Sequence, residues 1–163
     1  MLDFKKLTVC KKGSIFSLLE RSYERLLKEK PELAENWQKD WEQYDREVFQ
    51  FPGTIGAAGF TTWINDNIIG FGSYDPRQRP ELGIIGHNCI LPELRGNGFG
   101  KAQILKIVNI FKQMGVKKVK VITGEHPFFI SAQRMYISCG FKESQRYIDR
   151  EWDFRQIEYT LVI

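Results

Sequence analysis

The chain predicts an α/β (α+β) fold built on a mixed sheet, and three observations carry that prediction. The first third shows two amphipathic helical stripes in succession. The middle reads as strands joined by short turns, the pattern of antiparallel neighbours. The remainder alternates strand, helix, strand, helix and strand, which makes the sheet mixed.

Each element has a local cause. A weak strand is read near residues 4–9. Ile15, Leu18, Leu19, Tyr23, Leu26 and Leu27 follow an i, i+3, i+4 stripe, predicting a helix from Ser14 toward Lys30. Lys30 precedes Pro31 and is biased out of the α region, so the stripe breaks there. A second helix is predicted from Pro31 to about Phe49, with Leu33, Trp37, Trp41, Tyr44 and Val48 on one face. Phe51-Pro52-Gly53 ends it. Strands follow over Ala57–Ile64 and Ile68–Tyr74, joined at a hairpin turn, Asn65-Asp66-Asn67. After a polar loop, Leu82–Leu91 is the next strand. The helix carrying Ile104, Leu105, Ile107, Val108 and Phe111 should end at Met114-Gly115. A strand over Val116–Thr123, a short helix over Phe129–Ser138 stopped by Gly140, and strands over Phe141–Arg150 and Phe154–Val162 complete the order.

At 163 residues the chain suits one domain, 1–163, with a single substantial core. Hydrophobic residues make up 42% and charged residues 27%, an ordinary soluble composition, and no uninterrupted apolar run approaches the roughly 18 residues of a membrane span. The segment Met1–Lys6 lacks the apolar stretch of a signal peptide. Cys10, Cys89 and Cys139 are scattered and without CxxC pairing, which disfavours a disulfide framework or a metal site and suits the cytoplasm. A net charge of +4 is too small to argue for a nucleic-acid partner.

The densest signal is Ile90-Leu91-Pro92-Glu93-Leu94-Arg95-Gly96-Asn97-Gly98-Phe99-Gly100-Lys101. Glycine lets the backbone approach a ligand, and a helix starting there aims its N–H groups and positive dipole end into the loop. Together they make a phosphate site. A P-loop spacing fails, because position 95 is Arg and position 102 is Ala. A dinucleotide fingerprint fails too, because its third glycine comes one residue early. The remaining Arg-x-x-Gly-x-Gly pattern resembles the acetyl-CoA pyrophosphate loop of the GNAT N-acetyltransferases. A second match lies downstream: Ala132-Gln133-Arg134-Met135-Tyr136-Ile137-Ser138-Cys139-Gly140-Phe141 resembles that family's Ala-x-x-Leu-Tyr-x-x-x-Gly-Phe helix. Ala132 and Tyr136 share one helix face. One departure stands out, since Phe129 occupies the place where the family usually has Asn, and Ser131 is the polar replacement at hand.

The resemblance implies the GNAT acyl-CoA N-acyltransferase fold, a mixed, mostly antiparallel sheet flanked by helices. It also implies acetyl-CoA as acyl donor, with no metal. Asn88, Cys89 and Ile90 would run beside the pantetheine arm. The amides of Gly96, Asn97, Gly98, Phe99, Gly100 and Lys101 would receive the pyrophosphate, with Arg95 or Lys101 adding charge unless those side chains are merely solvated. By the same resemblance Tyr136 is the general acid toward the leaving thiolate, its alternative being a core aromatic. For the base, His87 has a suitable unperturbed pKa. Glu125 sits at the C-terminal end of a strand, where ligands collect in open α/β sheets. Glu81 ranks below both, and a water chain would serve in place of any single base. Cys89 is read as a small strand residue.

The implied reaction is direct transfer to a primary amine of a small molecule or peptide. Two other readings stay open: a non-catalytic acyl-CoA-binding regulatory module, and transfer to a tRNA-linked amine. The N-terminal helices and 51–59 should form an acceptor wall bearing Trp37, Trp41, Tyr44, Phe49, Phe51 and Phe60. Glu32, Glu35, Asp40, Glu42, Asp45 and Glu47 make the second helix acidic, which suits a cationic acceptor if that face lines the cleft and a solvated helix otherwise. The final strand, read as exposed, would offer an edge for a homodimer.

Overall fold

A computed structural model describes residues 1–149, 152 and 154–163. Seven strands and four α-helices follow the predicted order. They are β1 (Leu2–Lys6), α1 (Ser14–Glu29), α2 (Ala34–Gln50), β2 (Gly59–Ile64), β3 (Asn67–Asp75), β4 (Gly83–Ile90), α3 (Phe99–Gln113), β5 (Lys118–Gly124), α4 (Ile130–Ser138), β6 (Lys142–Ile148) and β7 (Arg155–Val162). Arg150, the expected end of the sixth strand, lies outside the described residues. Short 3-10 turns at Pro31–Leu33, Pro92–Leu94 and Pro127–Phe129 place a proline in each first turn. Proline suits that position because the N–H it lacks would have no helical acceptor there.

The chain forms two compact units, Met1–Ser73 with His87–Phe99 and Tyr74–Gly86 with Gly100–Ile163. In the first, β1, β2 and β3 are antiparallel neighbours and the C-terminal half of β4 follows β3. Asn65 and Asp66 carry φ of 45° and 66°, the left-handed pair a two-residue hairpin needs to match the twist of its strands. Leu7, Ile15, Leu18, Leu19, Trp41, Val48, Phe71, Cys89 and Leu91 pack into one core, so α1 and α2 bury their apolar stripes on β3 and β4. Trp37, Tyr44 and Phe49 are partly buried against that core, and Phe60 is buried. Of the residues expected to wall an acceptor cleft, most are therefore packing residues; Phe51 alone among them is 44% exposed.

In the second unit the N-terminal half of β4 pairs with β5 in parallel, Gly83 opposite Val119. The crossover between them is α3, whose Ile104, Ile107 and Phe111 are buried. Phe111 lies edge-on to Tyr74 at 5.4 Å and fills the space above Gly83, where a Cβ would meet the ring at 2.6 Å. β7 lies between β5 and β6 and is antiparallel to both. That corrects one expectation: the final strand is not the exposed edge. The edge is β6, because the chain returns inward and inserts β7 beside β5. Gly115 and Gly140 close α3 and α4 with φ of 73° and 95°.

Candidate active site

In the first unit the site begins on β4. Leu91 N–H donates to Ile69 O at 2.9 Å, and Ser73 Oγ donates to His87 O at 2.7 Å. Alternation along β4 puts His87, Cys89 and Leu91 on the face covered by α1 and α2. Cys89 and Leu91 are buried there, whereas His87 is open to solvent. The imidazole thus stands where the helical cover stops. Its ring lies 5.1 Å from Tyr44 of α2. Crowding by protein lowers the His87 pKa below its usual 6.5, and the Asp40 carboxylate opposes that change. Solvent reaching the ring bounds the depression, but the net shift is downward from 6.5 and leaves a neutral imidazole near pH 7.

Cys89 is a different case. Burial pushes its thiol up to about 11, so at neutral pH it is an uncharged core group and no nucleophile. Ile90 O accepts the Arg95 Nε–H at 3.1 Å, and the Arg95 Nη2–H reaches Ser22 O of α1 at 2.8 Å. Two of the guanidinium's five donors are committed to these carbonyls, so Arg95 braces the loop against α1 and β4. Arg21 of α1 adds an exposed ion pair to Glu93 at 2.8 Å, in the same lead-in.

The glycine loop follows. Gly96 and Gly98 each have φ of 81°, and nothing lies within 4 Å of where a Cβ would stand at either. Positive φ excludes other residues at low cost, while the open space keeps the backbone accessible. Asn97 Nδ2 donates to Leu94 O at 3.1 Å, pinning the loop between the two glycines. α3 starts at Phe99, and the N–H groups of its first turn have no intrahelical acceptor. Lys101 is exposed in that turn.

The second unit holds the remaining candidates. Tyr136 is buried on α4, with ring centroids 6.0 Å from both Phe141 and Tyr159. Ser131 is exposed in the first turn of α4. Phe129 is buried among aromatic rings, 5.5 Å from Phe154 and 5.1 Å from Phe128. Phe129 itself offers no polar group where the family has Asn, and Gly124 leaves the room that Phe129 and Phe154 fill. Glu125 Oε1 pairs with Arg146 Nη1 at 3.0 Å, and its other oxygen lies 4.0 Å from Arg155. His126 Nδ1 accepts Phe128 N–H at 3.1 Å and caps the 3-10 turn. Glu81 pairs with Lys117 at 3.0 Å. Glu125, His126 and Glu81 are thus tied to hydrogen-bonding or ionic partners within the second unit.

Sequence patterning placed Tyr44 on the acceptor wall and Asp45 on the acidic helix, and it did not mark Ser73 at all. Asp45 is buried, and its two oxygens accept Gly13 N–H at 2.8 Å and Phe16 N–H at 3.0 Å. It caps α1 from α2, so it belongs to the fold and not to an acidic acceptor face. A charge midway along the stripe Trp41-Asp45-Val48 was the available signal. Among the described residues, no group of three or more His, Cys, Asp or Glu is arranged to hold a metal ion, and no helix is long and apolar enough to cross a membrane.

The sequence matches the model of the Acetyltransferase (GNAT) family over residues 14–141. The chain belongs to the GNAT family. Solved structures agree on the fold. A GNAT-family protein from Desulfovibrio desulfuricans superposes with a TM-score of 0.80 at 13% identity, covering 99% of each chain. The ribosomal-protein-S18-alanine N-acetyltransferase of Escherichia coli gives 0.71 at 15% identity over 100% of this chain and 94% of that one. A Salmonella typhimurium protein solved with its cofactor acetyl-CoA gives 0.66 at 12% identity over 99% and 93%. No curated protein sequence matches the chain. For this GNAT chain, the mostly antiparallel sheet and the position of the glycine loop between β4 and α3 are those the resemblance implied.

Proposed function

We propose that this GNAT protein is an acetyl-CoA-dependent N-acetyltransferase that moves an acetyl group directly to a primary amine of a small molecule or peptide. The observation that carries the reading is the loop itself. Gly96 and Gly98 hold left-handed φ with open space above them, directly before the N-terminus of α3. Such a cradle fits a diphosphate by backbone N–H groups and helix dipole, with Lys101 exposed beside it for added charge. Acetyl-CoA, when bound, supplies an activated acyl thioester.

The chain's own residues do the rest. Backbone N–H groups around Asn88–Ile90 polarise the acetyl carbonyl and stabilise the developing oxyanion. Neutral His87 takes a proton from the acceptor ammonium at a ring nitrogen. The pKa that crowding by protein lowers keeps it unprotonated near pH 7, at the expense of basicity. Glu125 is a poorer base in this reading, because two arginines hold its carboxylate. The Tyr136 hydroxyl returns a proton to the departing thiolate. Arg95 acts by shaping the loop.

The test is thiol release from acetyl-CoA against polyamines, aminoglycosides, amino acids and peptide N-termini. Turnover with at least one amine, reduced in Tyr136→Phe by roughly 10²-fold or more, is expected. An active Tyr136→Phe with unchanged turnover removes the acid assignment. The buried Phe129 favours the binding-module alternative, which predicts cofactor binding without thiol release from any amine.

A further inference from the structure

The base needs more than a suitable residue type. An imidazole at the edge of a helical layer has to be held, and its charge state has to be set by neighbours. α2 supplies both along one face, because Asp40 and Tyr44 are four residues apart. Tyr44 is wedged between two rings, 6.1 Å and near-parallel to Phe71 of β3 and 5.1 Å from His87. The carbonyl of His87 is fixed from the other side by Ser73 Oγ of β3. We propose that Tyr44 and Asp40 are positioning residues for His87, the tyrosine ring holding the imidazole and the aspartate supplying the negative charge that acts on it. This rests on the reading of His87 as the base in acetyl transfer.

The hydroxyl of Tyr44 is not what does the holding. Its Oη is buried without a hydrogen bond, and the adjacent Ser73 hydroxyl already donates to His87 O. Tyr44 of α2 meets the imidazole ring directly, Asp40 stands one turn away on the same helix face, and Ser73 of β3 fixes the His87 carbonyl rather than the ring. Asp40 is the charged one that acts on the ring, and it raises the proton affinity that crowding lowers. Removing Asp40 must then make His87 harder to protonate. Removing the Tyr44 ring must admit solvent and make it easier.

The chain has two histidines, so both can be followed by NMR titration, with His126 as the internal control. Asp40→Asn should lower the His87 midpoint, a loss of about two- to threefold in proton affinity for one partly screened charge. Tyr44→Leu should raise the midpoint toward the free-histidine value, and Tyr44→Phe should leave it in place. His126 should not move in any of them. Kinetically, the acid limb of kcat/KM should follow the same directions, with KM for acetyl-CoA unchanged. A His87 midpoint insensitive to both Asp40→Asn and Tyr44→Leu overturns the proposal, even if the protein is an active transferase. Midpoints that shift as stated while kcat/KM keeps its pH profile support the contacts but overturn their role in the reaction, and with it the reading of His87 as base. Asp40 is exposed and Tyr44→Phe keeps the ring, so these two variants fold and leave the comparison intact.

Discussion

Asp45 lies on the apolar stripe of α2 between Trp41 and Val48, where a carboxylate persists only with partners. Its partners are the Gly13 and Phe16 amides at the start of α1, which has no cap of its own because Gly13 precedes it. Asp45→Ala should cost about 2 kcal/mol or more in urea denaturation, the sum of a lost cap and buried N–H groups left unpaired. Tyr44 is the opposite case. Burial holds its phenol at about 12, against an ordinary 10, because the charged form is disfavoured. In the unfolded chain the phenol ionises first, so folding stability falls as pH rises from 10 and levels off above 12, by roughly 2–3 kcal/mol in all. Tyr44→Phe deletes an unsatisfied hydroxyl and should be neutral or slightly stabilising at pH 7, and it should flatten this alkaline loss. Neither residue's job was legible in the sequence. Periodicity places both on the buried side of a helix, but it does not say which amide or ring from another element arrives there.

At the scale of elements, the loop–helix junction was readable because its chemistry is local. Glycines at alternate positions before an apolar stripe dictate positive φ and a helix start, and Gly96 and Gly98 show both. Gly98→Ala forces a side chain into the left-handed region at a cost of about 1–2 kcal/mol. The loop can avoid that cost by changing conformation, so KM for acetyl-CoA should rise several-fold with little change in thermal midpoint. An unchanged KM would separate the loop from cofactor binding. The α3 crossover makes a contrasting prediction. Phe111 is fully buried against Gly83 and Tyr74, and Phe111→Ala should destabilise by about 3–5 kcal/mol. What the sequence hid at this scale was strand order. Alternating Ile157, Tyr159 and Leu161 marked β7 and the polar run after Phe141 suited an exposed strand, yet only long-range pairing decides that β7 enters beside β5 and leaves β6 as the edge.

For the whole molecule, the pattern of elements was sufficient for the fold because each stripe or alternating run has one face to bury. The candidate site was legible where backbone chemistry makes it and obscure where several elements converge. His87 shows the difference, since a lone histidine on a strand says nothing of the Tyr44 ring or the Asp40 charge. It also gives a global pH signature. Its folded pKa lies below the unfolded 6.5, so the unfolded chain binds more protons in that window. Its contribution to stability is complete above 6.5 and is lost as pH falls through the lower folded value. His87→Gln should remove that part of the acid decline in the urea midpoint. The central claim is direct acetyl transfer, and a single-turnover reaction with acetyl-CoA and a responsive amine tests it best. Intact-mass analysis of the protein and chromatography of the amine are read together. The account predicts acetylated amine in step with free CoA and no acetyl group on Cys89 or elsewhere on the chain. Acetyl-enzyme accumulating before product, or CoA released without acetylated amine, would contradict it.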